Sequence, residues 1–93
     1  MSREIKRTSQ FKKDVKRMLR QGRQLEPLLD VVEKLQNDIP LPSELRDHPL
    51  VGNWHGKREC HIEPDWLLIY EKTDSVLLLT LIRTGTHSEI LGL

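Results

Sequence analysis

A chain of 93 residues, 37% hydrophobic and 31% charged, supplies one modest core and excludes a multidomain enzyme. No apolar run approaches the roughly 18 residues of a membrane span, no apolar signal segment follows the charged start at Arg3, and the lone Cys60 excludes an internal disulfide and suits a reducing compartment, so a soluble cytoplasmic domain spanning 1–93 is expected. The net charge of +1 hides an asymmetry: residues 1–23 carry nine Lys/Arg against Glu4 and Asp14, or +7, whereas residues 24–93 sum to −6.

Glu4 to Thr8 alternates weakly and suits a short strand, with Thr8 or Ser9 as the cap of a following helix. Phe11, Val15, Met18 and Leu19 recur at helical spacing, which leaves Lys12, Lys13, Lys16, Arg17 and Arg20 off the apolar stripe and facing solvent. Such a basic face either attracts polyanions, nucleic acid first among them, or only solvates the helix. Gln21-Gly22 ends it. A second helix begins near Leu25, tolerates Pro27 in its first turn, shows Leu25, Leu28, Leu29, Val32 and Leu35 on one face, and stops before Asn37. The two make an αα-hairpin. Pro40 to Pro49 is a proline-stiffened loop with a short helical turn at Ser43-Glu44-Leu45, and His48 sits at its end.

From Gly52 the period changes to two. Trp54, Arg58, Cys60 and Ile62 share one side, and His55, Lys57, Glu59 and His61 the other. Burying Cys60 and Ile62 therefore points His61 away from the core, beside Lys57 and Glu59. Glu63-Pro64-Asp65 is a turn, Trp66 to Lys72 a second strand, and Thr73-Asp74-Ser75 a hairpin turn. Val76 to Arg83, nearly all apolar, is expected to be a central strand buried on both faces. Gly85 breaks it, and Thr86 to Leu91 has room for one helical turn. The predicted order is β-α-α-β-β-β: an α+β domain in which an N-terminal helical hairpin packs on one face of a small antiparallel sheet. His61 is then on the opposite face, with His87 arriving from the neighbouring strand.

Three histidines in polar, turn-rich settings suit acid–base work on a phosphodiester. RNA carries its own nucleophile, the 2′-hydroxyl. Its cleavage needs a base for that proton, an acid for the leaving 5′-oxygen and positive charge at the phosphorane. Imidazoles titrate near ~6.5, so one can be base and another acid at neutral pH. His48, His61 and His87 fill those roles, with Asp65 supporting an imidazolium. Lys57, Arg58 and Arg83 are candidates for holding phosphate, and Trp66 for stacking on a base. No zinc-ligand spacing joins Cys60, His61, Asp65 and His87, so neither a metal nor another cofactor is expected. Cys60 reads as a small core residue, Trp54 and Tyr70 as core or interface aromatics, and His55 as an ordinary exposed residue.

Asp47-His48-Pro49-Leu50, His61-Ile62-Glu63-Pro64-Asp65-Trp66 and Arg83-Thr84-Gly85-Thr86-His87 together resemble the YafQ-type branch of the RelE/ParE toxin superfamily, nearly end to end. That resemblance implies the toxin of a type II toxin–antitoxin pair. It implies a ribosome-dependent, metal-free endoribonuclease that cuts the message in the ribosomal A site, with functional positions at His48, His61, Asp65, Trp66 and His87. It also implies a DinJ/RelB-like antitoxin whose N-terminal domain is a ribbon-helix-helix DNA binder, so that operator DNA is met only through the complex. The partners expected are that antitoxin, the ribosome and mRNA, and no membrane. Leu91 stands where close relatives place a phenylalanine, so any hold on a base there is by apolar contact alone. The alternatives are a ParE-like topoisomerase poison, which shares the fold without needing the histidines, and a catalytically weak homologue that only binds its antitoxin.

Overall fold

The computed structural model describes residues 2–92. Strand β1 (Glu4–Arg7) leads into helices α1 (Ser9–Arg20) and α2 (Glu26–Gln36). Two short 3-10 turns, Ser43–Leu45 and Gly52–Trp54, flank β2 (His48–Pro49). Strands β3 (Arg58–Glu63), β4 (Trp66–Thr73) and β5 (Leu78–Gly85) follow, and α3 (His87–Leu91) ends the order. The sheet runs β1-β5-β4-β3-β2. Strands β3 to β5 pair antiparallel as expected, and His48–Pro49, expected as the end of a loop, adds β2 antiparallel to β3, while β1 joins β5 in parallel. A long excursion through both helices separates these two strands, and such a crossover permits parallel pairing.

Thr8 caps α1, its side chain accepting from the Phe11 amide. Gly22, with φ +80°, closes the helix by letting the Arg23 amide reach back to the Met18 carbonyl at 3.0 Å. Phe11 and Met18 from α1, with Leu28, Val31, Val32 and Leu35 from α2, bury against Cys60, Ile62, Trp66, Leu68, Tyr70, Leu79 and Leu81 of the sheet. Leu19 and Leu29, assigned to the apolar stripes by spacing, are instead 55% and 60% exposed. Each sits at the margin of its stripe, where the helix turns it past the sheet. A smaller cluster on the other face joins Leu67 and Ile69 to Ile90 of α3, with Leu50, Trp54 and Ile82 beside it. With a layer on each side, β4 is the strand buried on both faces from Trp66 to Tyr70. Strand β5, for which that role was predicted, alternates along most of its length, because its middle reaches past the small second layer.

One carboxylate ties the layers together. Asp14 on α1 is fully buried. Its oxygens accept from Arg83 Nε at 2.8 Å, Arg17 Nη1 at 2.8 Å and the Thr84 amide at 3.1 Å. Burial alone would push this carboxyl up. The bonds from Arg83, Arg17 and Thr84 outweigh that and hold it below the ordinary carboxylate range. Arg17, predicted to face solvent with the other basic residues of its helix, is thus turned inward. Gly85 leaves the gap this requires: a Cβ there, at φ +147°, would lie 2.6 Å from Arg17 Nη2 and 2.9 Å from Glu89 Oε1.

Replacing Asp14 by Ala strands two arginines and is expected to cost about 3–5 kcal/mol in urea unfolding. Since the folded value is depressed, this stabilisation is full above about pH 4 and drains away as the pH falls below it. The gap between the wild type and Asp14→Asn should therefore narrow in acid, and a constant gap would refute the charge-based account.

Candidate active site

The face of the sheet away from the helical hairpin collects the polar residues. Strand alternation puts Cys60 and Ile62 into the main core and turns Glu59 and His61 to this side. Pairing of β2 with β3 sets His48 directly opposite Glu59. Strand β2 is only two residues long, so it needs another fastening. Asp47 supplies it by accepting from the Tyr70 hydroxyl at 2.5 Å and from Arg58 Nε and Nη2 at 3.3 and 3.4 Å. Tyr70 is itself in the core, so the loop carrying His48 is pinned to a buried side chain. Burial and the Asp47 carboxylate both push the Tyr70 hydroxyl up, which keeps it a donor.

His87 arrives at the first position of α3. Thr86 caps that helix in a capping box with Glu89, which fixes the turn despite its five residues. Asp65, from the β3–β4 turn, accepts from the His87 backbone amide at 3.2 Å and lies 2.9 Å from its Nδ1. The two bonds from His87 hold the Asp65 carboxyl below its ordinary range, with a further contribution from the charge of Arg23. With Nδ1 protonated and facing Asp65, Nε2 of His87 is the nitrogen left for chemistry.

The three imidazoles form a row. Ring centroids of His48 and His61 are 6.3 Å apart, and those of His61 and His87 5.7 Å. Glu59, 8% exposed, lies beneath the first pair, its Oε2 at 3.0 Å from His48 Nε2 and 3.7 Å from His61 Nε2. His48 Nδ1 also faces the Pro49 carbonyl at 3.1 Å, so this ring makes both bonds only when doubly protonated. The arrangement sets three neighbouring imidazoles beside two carboxylates, the groups that proton transfer needs. The donors of His48, Glu59 and His61 also lie within 4.8 Å of one another, a nitrogen-and-oxygen set suited to a transition-metal ion. Cys60 is outside that set: burial pushes its thiol up to about 12, and it faces the main core.

The other residues singled out from sequence divide. Lys57 is half-buried just before β3, and Leu91 is 42% exposed on α3. Lys12, Lys13, Lys16 and Arg20 are exposed along α1. Arg83 and Arg58 are occupied by Asp14 and Asp47. Trp66 is 2% exposed, its Nε1 donating to Thr84 Oγ1 at 2.9 Å and its ring lying 5.1 Å under the Arg23 guanidinium. Stacking on a base needs an open face, and this indole has none. Glu59 was placed on the correct side by alternation without being given a role. Nothing in the sequence signals the Asp47–Tyr70 bond, which spans 23 positions.

A family model described as the bacterial toxin of type II toxin-antitoxin system, YafQ, matches residues 3–92. The chain is 42% identical to the mRNA interferase toxin YafQ of Escherichia coli strain K12, over 99% of both chains. It superposes on the toxin in the crystal structure of the E. coli DinJ-YafQ toxin-antitoxin complex with a TM-score of 0.89 at 42% identity, covering 99% of this chain and 100% of that one. The crystal structure of a metal-bound toxin from Helicobacter pylori gives 0.89 at 39% identity, covering 97% and 99%.

Two measurements check the packing of this site. Tyr70→Phe should leave Asp47 short of a partner and cost about 1–3 kcal/mol, with the His48 ring resonances broadening in the folded protein. Native Cys60 should resist a thiol reagent at pH 8 and react at once in urea. Rapid labelling of the folded protein would contradict its assignment to the core.

Proposed function

This chain belongs to the YafQ family of type II toxin–antitoxin toxins, and on that premise we propose that it is an mRNA interferase, an endoribonuclease that cuts messages on the ribosome. The row of His48, His61 and His87 with Glu59 and Asp65 carries this reading. His61, with His48 beside it, takes the proton of the 2′-hydroxyl. The 2′-oxygen attacks phosphorus, and the bond to the 5′-oxygen breaks as His87 Nε2 delivers its proton there. A 2′,3′-cyclic phosphate and a free 5′-hydroxyl result. His87 is assigned the acid because Asp65 sits on its Nδ1 and supports the imidazolium that must give up the proton. With Arg83 and Arg58 already paired, the imidazolium is left to meet the charge of the phosphorane, along with Lys57 and Arg46, which form no ion pair among the described residues. The scheme uses no metal. An ion taken by His48, Glu59 and His61 would occupy the nitrogens that handle the proton, so it would compete with catalysis.

The exposed Lys12, Lys13, Lys16 and Arg20 are the proposed contacts to ribosomal RNA. The E. coli homologue is seen with DinJ. For this chain we expect an antitoxin of the same kind, which brings the complex to operator DNA. The unpaired outer edge of β1 and the apolar groove bounded by Ile5, Phe11, Val15, Leu25 and Leu29 suit an added strand with apolar side chains. Acidic residues alongside would meet the +7 segment. The topoisomerase-poison alternative has no observation in its favour.

His61→Ala and His87→Ala should each fold and each slow cleavage by roughly 10²–10⁴-fold. Primer extension on messages from expressing cells reads this as loss of in-frame cuts, and undiminished cutting by either variant would reject the roles given. Changing Lys12, Lys13, Lys16 and Arg20 together to glutamine should weaken ribosome binding and flatten its dependence on salt. An unchanged salt slope would assign this face to the antitoxin or to solvent.

A further inference from the structure

A cleft of about 260 Å³ adjoins His61. One wall is His61, Ile62, Glu63 and Pro64; the other is Glu44, Leu45 and Arg46 at the 3-10 turn before β2. It exists because β2 is so short. Strand β2 pairs only with Arg58 and Glu59, which leaves the outer side of β3 from Cys60 onward without a strand beside it. The pairing of β3 with β4 also shifts register between His61 and Glu63, which bends this end of the strand.

We propose that this cleft is a subsite for one base of the message, and that it takes an amino-bearing base, adenine, guanine or cytosine, in preference to uracil. The inference rests on the nuclease reading and adds to it a determinant of sequence preference. Four features support it. The volume falls below the roughly 300–1,000 Å³ of pockets for drug-sized ligands, so the fit is one heterocycle. Leu45, Ile62 and Pro64 give the cleft apolar surface for a ring to lie on. Two carboxylates, Glu44 and Glu63, stand at its rim and disfavour a phosphate there. Among the described residues neither of them, nor Arg46, is spent on an ion pair.

The preference follows from donors and acceptors. An ionised carboxylate only accepts. Adenine, guanine and cytosine each offer an exocyclic amino group on the Watson–Crick edge, the edge by which single-stranded RNA is commonly read. Uracil sets two carbonyl oxygens around its single N–H, so part of its edge would face carboxylate oxygens with no proton between. Arg46 is held in the left-handed region at φ 49°, its amide bonded to the Ser43 carbonyl at 3.1 Å. That conformation is uncommon for a residue with a side chain, and it places the arginine at the mouth of the cleft, where a guanidinium plane can cover a base. Because His61 forms one wall, the base bound here belongs to a nucleotide beside the cut.

The test is the base composition around cuts made by the full chain on translating ribosomes, read by sequencing the new 5′ ends. At one fixed position next to the cut, uracil should be depleted by roughly 5- to 100-fold. Glu63→Gln or Glu44→Gln turns an acceptor into a group that also donates, and should raise the share of uracil at that position alone. A wild-type profile indifferent to uracil at every position overturns the proposal, as does one left unchanged by both variants. Absence of any cutting by the wild type would instead overturn the nuclease reading. The subsite would then be decided by the methyl resonances of Leu45 and Ile62: shifts with AMP or CMP and not with UMP uphold it, and no shifts overturn it.

Discussion

The buried carboxylate of Asp14 is the interaction on which the arrangement of this domain depends. It sits where α1 crosses the end of β5, and it gathers one arginine from its own helix and an arginine and a backbone amide from β5. Those arginines extend the connection. Arg17 Nε lies 3.0 Å from Glu89 Oε2, and Arg83 Nη2 reaches the Glu89 carbonyl at 3.4 Å. Glu89 is the residue that closes the capping box of α3. The helix that presents His87 is too short to hold its own place, since isolated helices of this length do not persist. It is held by Ile90 packing below and by this ionic cluster behind. A residue 73 positions before His87 thus fixes the orientation of the imidazole.

That arrangement divides the basic N-terminal segment by use. Arg3 is 6% exposed and spans Asp38, Asp74 and the Thr73 carbonyl, which locks β1 to the end of α2 and to the β4–β5 turn. Arg17 belongs to the Asp14 cluster. Among the described residues, Lys6, Arg7, Lys12, Lys13, Lys16 and Arg20 form no ion pair and keep their charge on the surface. Paired charges count little toward the field at a distance, because each guanidinium is cancelled locally by a carboxylate. The electropositive surface available to a polyanion is therefore narrower than the count of +7 suggests, and it is concentrated on the outer side of α1.

Element types were legible because the periods were clean: helical spacing in α1 and α2, alternation in β3, and apolar runs in β4 and β5. Alternation in β3 also placed His61 on the correct face, and Asp65 read as the support of an imidazolium, although only the fold shows that His87 is the ring it holds. The missing information was long-range. Asp14 looked like one acid on a basic helix, because its partners Arg83 and Thr84 lie about 70 positions away. Trp66 looked like a stacking platform because it follows His61 and Asp65 within one short polar turn of the sequence. One further step along the chain, strand alternation turns the indole inward, where Thr84 satisfies its nitrogen. Arginines near a candidate site read as phosphate binders until the carboxylates that hold them are known. Residue type alone does not show whether a charge is spent within the fold.

The placement of the aromatic side chains gives the proposed reaction its physical reason for needing a ribosome. Single-stranded RNA is held mainly by aromatic faces on which bases stack and by basic grooves along the backbone. Here Trp66 and Tyr70 are in the core, Phe11 is beneath α1, and Leu91 offers only an aliphatic chain on α3. Trp54 is partly covered by the small cluster under α3. The histidine row has proton-transfer groups in place and little surface to grip a flexible strand. Ordering a mobile nucleotide against such a site would cost conformational freedom that few contacts offset. A ribosome that already holds the message extended removes that cost, and leaves the domain to supply the base, the acid and the contact to one heterocycle. On this argument free RNA should be a poor substrate even at high concentration, with the deficit in binding and orientation and not in the chemistry of the imidazoles.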